Sequence, residues 1–543
     1  MRLTSFFLVS FLALLPFWGL GQNNTPSYTG LITINSFPQN KQICDRQKNL
    51  STAKVKIAGT VAASSNYDKI KLWVSLDTVG NFFQEYQPLT YVGDSASFQF
   101  DYLLPANFYN HEFILSGVKN TTETEEWKAT DVVAGDIYII NGQSNAQAYL
   151  SVMPEDIMPY TRSYFNGKWD DLTHSFPGRW GGHLAKVMSQ YLGFPIGIFN
   201  FADGAQPISY FQKNPQDTAA NYSMMMARLA KAGVKSPNAA FWFHGEANGW
   251  DTPTADYVQA YMTLHNSWKE DLGIDGSFLF QVRHLGCAHP NPYIFEAQRL
   301  LAENNTDMSI MSTTNADQDS CHYRWEEGYR ALAERMAEVV KSKLYGQTVP
   351  NQNFAPNVKK IERFNANTLR VTFEPAGVPL SIIGAPSFDF KHEESGHRAS
   401  NVWTMGDTLL IQLDTIINVG EHFSYLSHPG PTPDWVVTSS GVGILEFYNQ
   451  PIVEYVPVGT RLAPKRTLII APNPSTGLFA IHWNKAEWVD ISVVDALGRT
   501  YLQKNQWVQS NIQLDVSFLP QGIYQVVVQS KEERQIGQLI KQD

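Results

Sequence analysis

Cysteine is scarce in this chain, with Cys44, Cys287 and Cys321 the three present among 543 residues. That is too few, and too widely spaced, for a disulfide framework or a thiolate metal site. The count leaves room for one bridge, between Cys287 and Cys321, with Cys44 then free. Beyond the first residues no stretch approaches the roughly 18 uninterrupted apolar residues of a membrane-spanning helix, so no span is expected in the mature protein. Dense Lys/Arg patches are missing too: 41 basic residues stand against 51 acidic ones for a net charge of −10, which argues against nucleic acid and anionic membrane surfaces as partners. There is no internal repeat and no low-complexity tract. Metal-ligand spacing is also absent, since "HGE" is not H-E-x-x-H and the other histidines are scattered, so no metal and no cofactor is expected.

What the chain does have is length and aromatic surface. Its length exceeds one ordinary core, so several domains are expected. Aromatics make up 13%, with 14 Trp and 24 Tyr, a content that suits β-sandwich cores and flat faces for stacking on sugar rings. Arg2 precedes the apolar run "FFLVSFLALLPFWGLG", and small residues Gly19 and Gly21 follow, as in a secretory signal over residues 1–21.

The texture then changes along the chain. Residues 22–132 alternate apolar and polar ("KVKIAG", "KIKLWVSL", "SFQFDYLL") between turn residues, predicting an antiparallel β-domain. Residues 133–346 alternate strands ("PIGIFNFA", "NAAFWFHGEAN") with helices ("GHLAKVMSQYLG", "MMMARLAKAG", "WEEGYRALAERMAEVVKSKL"), predicting a three-layer α/β/α core on a mostly parallel sheet. Residues 347–458 return to β texture, and after the break "PVGTRLAPKRT" residues 467–543 form a small β-domain of about seven strands.

In an open α/β sheet, ligands sit beyond the carboxyl ends of the strands. The run Ile137-Tyr138-Ile139-Ile140 stops at Asn141-Gly142, and Ser144 follows just beyond such an end. Gly204, in "FNFADGAQPISYF", follows another strand, where a glycine lets a backbone N–H approach a ligand closely. Much later, "NADQDSCHYRWEEGY" sets Asp319 three residues before His322, a spacing at which the carboxylate can hold one ring nitrogen while the other acts as general base. Arg179 and Trp180, in "PGRWGGH", are candidates for a subsite wall, though a packed helix entry is the preferred reading of them.

These ordered blocks, "GQSN", "FADGAQPI", "HGEAN" and "DSCH", resemble those of the SGNH hydrolases, in particular the sialate O-acetylesterase type with its carbohydrate esterases. The likeness runs from about residue 50 to 455 and includes the β-flank ending in "GVGILEFYN". It implies Ser144 as nucleophile, His322 as general base and Asp319 as the carboxylate that orients it, with Asp317 a nearby competitor. It also implies an oxyanion hole from the backbone N–H groups of Ser144 and Gly204. Relatives usually carry an amide just before the Gly-Glu pair, and here the residue is His244, whose neutral ring can donate one N–H; His244 or Asn248 is then the expected third donor. Glu246 is expected to be a structural support. The implied partner is an acetylated glycan, and sialic acid, acetylxylan and acetylated pectin all fit; a catalytically weak carbohydrate-binding protein is the competing reading, favoured by the departure at His244. Finally, "PNPSTG", "DALGR", "LPQGIY" and a lysine near the end resemble the type A sorting domains of the type IX secretion system of Bacteroidetes, which implies that machinery as a partner and a secreted or cell-surface location.

Overall fold

The computed structural model describes residues 29–46, 51–76, 82–149, 151–174, 176–248, 252–284, 291–430, 433–456, 468–483, 485–495, 499–530 and 534–543. The expected signal segment and Cys287 lie outside them. The chain divides into two compact units, Met1–Glu454 and Tyr455–Asp543.

The first unit holds three hydrophobic cores. The N-terminal one is a β-sandwich. Strands Ile32–Ser36, Thr52–Ala62 and Ser95–Pro105 form one antiparallel sheet, and along Ser95–Pro105 buried and exposed residues alternate as expected of a strand with one wet face. The facing strands, Lys69–Leu76, Phe82–Pro88 and His111–Lys119, pair onto the first half of a long strand, β1 (Thr122–Gly142). In that half β1 is only intermittently buried, whereas from Val132 onward every residue is. The change marks where an edge-type antiparallel strand becomes the centre of a covered parallel sheet. One strand thus crosses the expected domain boundary at 132/133 and couples the two cores directly.

Around the second half of β1 the chain builds α1 (Ser144–Gln147), β2 (Thr161–Phe165), α2 (Arg179–Leu192), β3 (Ile196–Asn200), α3 (Asn221–Ala232), β4 (Ala239–Phe243), α4 (Thr254–Leu272), β5 (Gly276–Gln281), α5 (Pro292–Asn304) and β6 (Met308–Ser312). The strand order is β2-β3-β1-β4-β5-β6, and each of these pairs is parallel. Continuous burial along β4 and β5 shows both faces covered, with α2 packed on β3 and α5 packed on β5 and β6. Taken whole, the sheet is mixed rather than mostly parallel. The antiparallel hairpin strands of the N-terminal domain and the edge strand Lys168–Asp170 join it, because β1 is long enough to serve two sheets.

Strand order also fixes where a site belongs. From β1 the chain moves outward to β2 and β3 on one side, then β4 begins on the other side of β1. Loops leaving β3 and β4 therefore part above the end of β1, the crevice where open α/β sheets bind ligands.

The third core, around Leu369, Ile411, Phe423 and Phe447, lies in a seven-stranded sheet formed by residues 357–454. It is fixed to the α/β core by reciprocal bonds: Gln281 Nε2 donates to the Glu446 carbonyl at 2.9 Å, and the Glu446 N–H donates to Gln281 Oε1 at 2.8 Å. The second unit is a sandwich of a three-stranded and a four-stranded antiparallel sheet, packed about Phe479, Trp483, Ile491 and Val526.

Candidate active site

Gly142 ends β1 with φ at +129°, and a Cβ there would stand 2.3 Å from the Phe243 carbonyl oxygen. Only glycine permits this sharp exit beside β4. Ser144 opens α1 two residues on and is the one partly exposed residue between Asn141 and Ala146.

Both neighbouring strands deliver their loops to this point. Past the end of β3, the Phe201 N–H donates to the Ile140 carbonyl (2.8 Å) and the Asp203 N–H to that of Gly142 (2.9 Å). This extends the pairing and sets Gly204 against the serine: a Cβ built on Gly204 would lie 3.9 Å from the Ser144 Cβ. Among the described residues neither the Ser144 N–H nor the Gly204 N–H has an acceptor. Two unbonded backbone donors beside one hydroxyl can receive the charge of a developing oxyanion. Past β4, Gln143 Oε1 accepts from the N–H groups of Gly245 (3.3 Å) and Ala247 (3.0 Å), and Asn248 Oδ1 accepts from the Ile208 N–H at 3.1 Å.

The base arrives on a tight hairpin of two short strands, β7 (Gln318–Asp319) and β8 (His322–Tyr323), with Asp319 directly opposite His322 and Ser320 at φ +56° in the turn. Cys321 in that turn is disulfide-bonded, and Cys44 is free. Burial lowers the pKa of the half-buried imidazole, and the charge of Asp319 opposes the shift. Asp317 is held elsewhere, its carboxylate 3.1 Å from Arg324 Nη1.

Asn145, fully buried beside the nucleophile, ties these parts together. Its Nδ2 donates to Glu246 Oε1 (2.7 Å) and to the Cys321 carbonyl (3.2 Å), its Oδ1 accepts from the Tyr329 hydroxyl (2.8 Å), and its carbonyl accepts from Trp180 Nε1 (3.0 Å). Tyr149 completes the join, its ring centroid 5.4 Å from that of His322 and 6.0 Å, edge-on, from that of Tyr329. The sequence reading passed over Gln143, Asn145 and Tyr149. The available signal was two amide side chains at a strand–helix junction that had to be buried.

One expectation needs correction. His244 is fully buried, and its Nε2–H donates to the Gln206 carbonyl at 3.0 Å while Nδ1 lies 3.0 Å from the Tyr257 hydroxyl. Burial pushes its pKa down to about 3, so the ring is neutral and its single N–H is already committed. It is no oxyanion donor; it clamps the Gly204 loop to the end of β4. Trp180 is buried beneath Asn145, as a packed helix entry requires, whereas Arg179 stands beside Tyr149, its guanidinium carbon 4.6 Å from the ring centre.

Elsewhere, a cavity of about 370 Å³ opens at the opposite ends of the same strands, lined by Arg46, Asp136, Asn238 and Tyr345 among others. Its most buried charge, Asp136, is bonded to Arg46 (2.6 Å) and to the Tyr345 hydroxyl (2.6 Å), and no nucleophile–base pair lines it. Among the described residues, Asp170, Asp171 and His174 lie within metal-ligand distance of one another, a grouping that spacing alone did not reveal. The Lys41 ammonium, 2.6 Å from Asp170 and 3.6 Å from Asp171, already offsets one of its two carboxylate charges.

The arrangement gathers a serine, two unbonded backbone N–H groups and a half-buried histidine at one strand end. Residues 180–342 match the family model "Carbohydrate esterase, sialic acid-specific acetylesterase", and residues 469–542 match "Secretion system C-terminal sorting domain". Among solved structures the chain is similar to a carbohydrate acetylesterase from Xanthomonas citri, with 16% identity, a TM-score of 0.55 and coverage of 77% of this chain and 99% of that one. Also similar are a protein from Arabidopsis thaliana (16% identity, TM-score 0.33, 38% and 98% covered) and NanS (13%, 0.30, 39% and 98%). Comparison with curated proteins gives no match.

Two outcomes follow from this geometry. The His322 resonance should titrate below its ordinary 6.5, and Asp319→Asn should move it lower still, because the carboxylate stabilises the imidazolium. An upward shift in an NMR titration of the variant would show that Asp319 does not act on His322. His244→Ala should cost about 2–4 kcal/mol in denaturant unfolding, since it leaves a buried cavity and strips bonds from the Gln206 carbonyl and the Tyr257 hydroxyl. His244→Gln should cost less than half of that. Equal stability of all three proteins would count against the clamp.

Proposed function

We propose that the chain is an exported carbohydrate O-acetylesterase that uses Ser144, His322 and Asp319 to release acetate from acetylated sugars, of the sialate O-acetylesterase type. The observation that carries the reading is the pair of unbonded backbone N–H groups of Ser144 and Gly204 beside one serine, next to which Asn145 holds the turn that leads into the half-buried His322. Ser144 Oγ attacks the acetyl carbonyl while His322 takes its proton, and the negative charge on the acyl oxygen falls to the N–H groups of Ser144 and Gly204, with the Asn248 amide as third donor. Collapse breaks the ester bond, and His322 returns the proton to the departing sugar oxygen. Water then attacks the acetyl-serine, giving up its proton to the same ring, and acetate leaves. A lowered His322 pKa keeps the base neutral into mildly acidic solution.

The departure at position 244 had favoured a catalytically weak carbohydrate-binding protein. That reading keeps its support, because the committed His244 N–H leaves the third donor to be supplied by Asn248. Export through the type IX system is supported by the match at residues 469–542 and by the compact separate unit from Tyr455 onward.

Ser144→Ala should lower acetate release by at least about 10³-fold while leaving the melting temperature nearly unchanged, since the hydroxyl has no packing role. Release is measured across acetylated sialic acid, xylan and pectin; a variant that keeps a tenth of the rate removes Ser144 as nucleophile. Deleting residues from 467 onward should leave purified esterase activity intact and trap the protein in the periplasm of its host. Full-length levels of the truncated chain in the medium or at the cell surface would remove the sorting role.

A further inference from the structure

We propose that Arg179 binds a carboxylate carried by the acetylated sugar, so that the site selects acidic over neutral glycans; this rests on the esterase reading above. Arg179 opens α2 directly beneath the loop that follows the nucleophile, its backbone N–H donating to the Ala148 carbonyl at 3.1 Å. Its guanidinium lies on the Tyr149 ring at 4.6 Å, and the His322 ring is 5.4 Å from the same tyrosine centroid. A cation therefore stands one ring away from the general base.

That cation has no anionic partner. Other arginines around the crevice are bonded: Arg324 to Asp317, Arg330 to Glu326 and Glu334, and Arg228 to the carbonyls of Tyr164 and Asn200. Arg179 differs. Among the described residues no carboxylate or carbonyl accepts from its side chain, and its Nε–H is shielded from solvent without an acceptor. A guanidinium stays charged at any relevant pH and offers five N–H donors in a fork that matches a carboxylate. Stacking on Tyr149 accounts for the position of the plane but satisfies none of those donors. The chain is acidic overall, yet among the described residues no carboxylate pairs with this arginine. An unpaired fork at the mouth of a hydrolytic site is suited to an anion brought by the substrate.

The shared chemistry is a pyranose that bears both an acetyl ester and a carboxylate. Nonulosonic and uronic acids both supply it, and a xylan backbone does not. One residue of such a sugar places the ester at one end and the carboxylate at another, which matches a serine and an arginine separated by the Tyr149 ring.

The test measures kcat/KM of the full-length wild type, Arg179→Lys and Arg179→Met on O-acetylated sialic acid, its methyl ester, an acetylated galacturonide and acetylxylan. The wild type should prefer at least one free acid over its esterified or neutral counterpart by about 10- to 100-fold, the worth of a charge-assisted pair. Arg179→Met should abolish that preference mainly through KM, and Arg179→Lys should retain part of it, because an ammonium supplies charge without the fork. Which acid shows the effect separates the sialic from the uronic source. A wild type without preference, or an Arg179→Met variant in which acid and ester fall equally, overturns the proposal. If the wild type hydrolyses none of these nor 4-nitrophenyl acetate, the esterase reading itself falls. Calorimetry with free sialic and galacturonic acids, on wild type and Arg179→Met, then decides the arginine's role: loss of binding on substitution supports it, and equal binding or none by either protein overturns it.

Discussion

The side chain of Asn145 is the constraint on which the site depends. It sits one residue past the nucleophile, where no water reaches, and it bonds the loop after β4, the turn before His322 and the helical turn of Tyr329 at once. A buried amide with donors and acceptor all engaged fixes distances among chain segments far apart in sequence, from 145 to 246, 321 and 329. Leaving any one of them unbonded costs about 1–3 kcal/mol. That penalty makes the network all or none, so Ser144 and His322 keep their relation without touching any common rigid element. Ser144 is thereby positioned by its neighbour, and among the described residues its own hydroxyl makes no hydrogen bond.

Rigidity beneath this network comes from β1. Its first half is bonded into a sandwich and its second half lies at the centre of a parallel sheet, so the strand end that presents Ser144 is anchored in two cores. The third core adds a brace at β5 through Gln281 and Glu446. A site on such a strand end moves only if several layers move together, and that is the condition for preorganised N–H groups to act on a transition state.

Much of this arrangement was legible in the sequence, for reasons that differ by element. Period-two and helix-length patterns reported burial, which is why the sandwich, the alternating core and the C-terminal strands stood out. The mixed character of the sheet was not legible, because a single strand that changes partners midway has no break in composition: "TDVVAGDIYIING" simply becomes more apolar. Ser144, Gly204, Asp319 and His322 were marked by turn residues and spacing, and the fold gathers them. His244 was misread for a physical reason. A histidine offers one N–H wherever it stands, and only the burial of its surroundings reveals that Gln206 has already taken it. Asn145 and Arg179 escaped because their importance lies in partners, present for one and missing for the other, and partners are a property of the fold.

Burial beneath the site also sets its charge. It pushes the imidazole of His244 down to about 3 and raises the pKa of the Glu246 carboxyl, so both groups move toward their neutral forms. Glu246 Oε2 is screened from water and unbonded, while Oε1 takes the Asn145 amide. An ionised carboxylate there would repel an oxyanion forming above Ser144, across a region where little water screens the interaction. The upward shift lessens that conflict, and Oε1 still holds Asn145. With the charged forms of His244 and Glu246 both disfavoured by burial, the fixed polarity beside Ser144 comes from the unbonded N–H groups of Ser144 and Gly204.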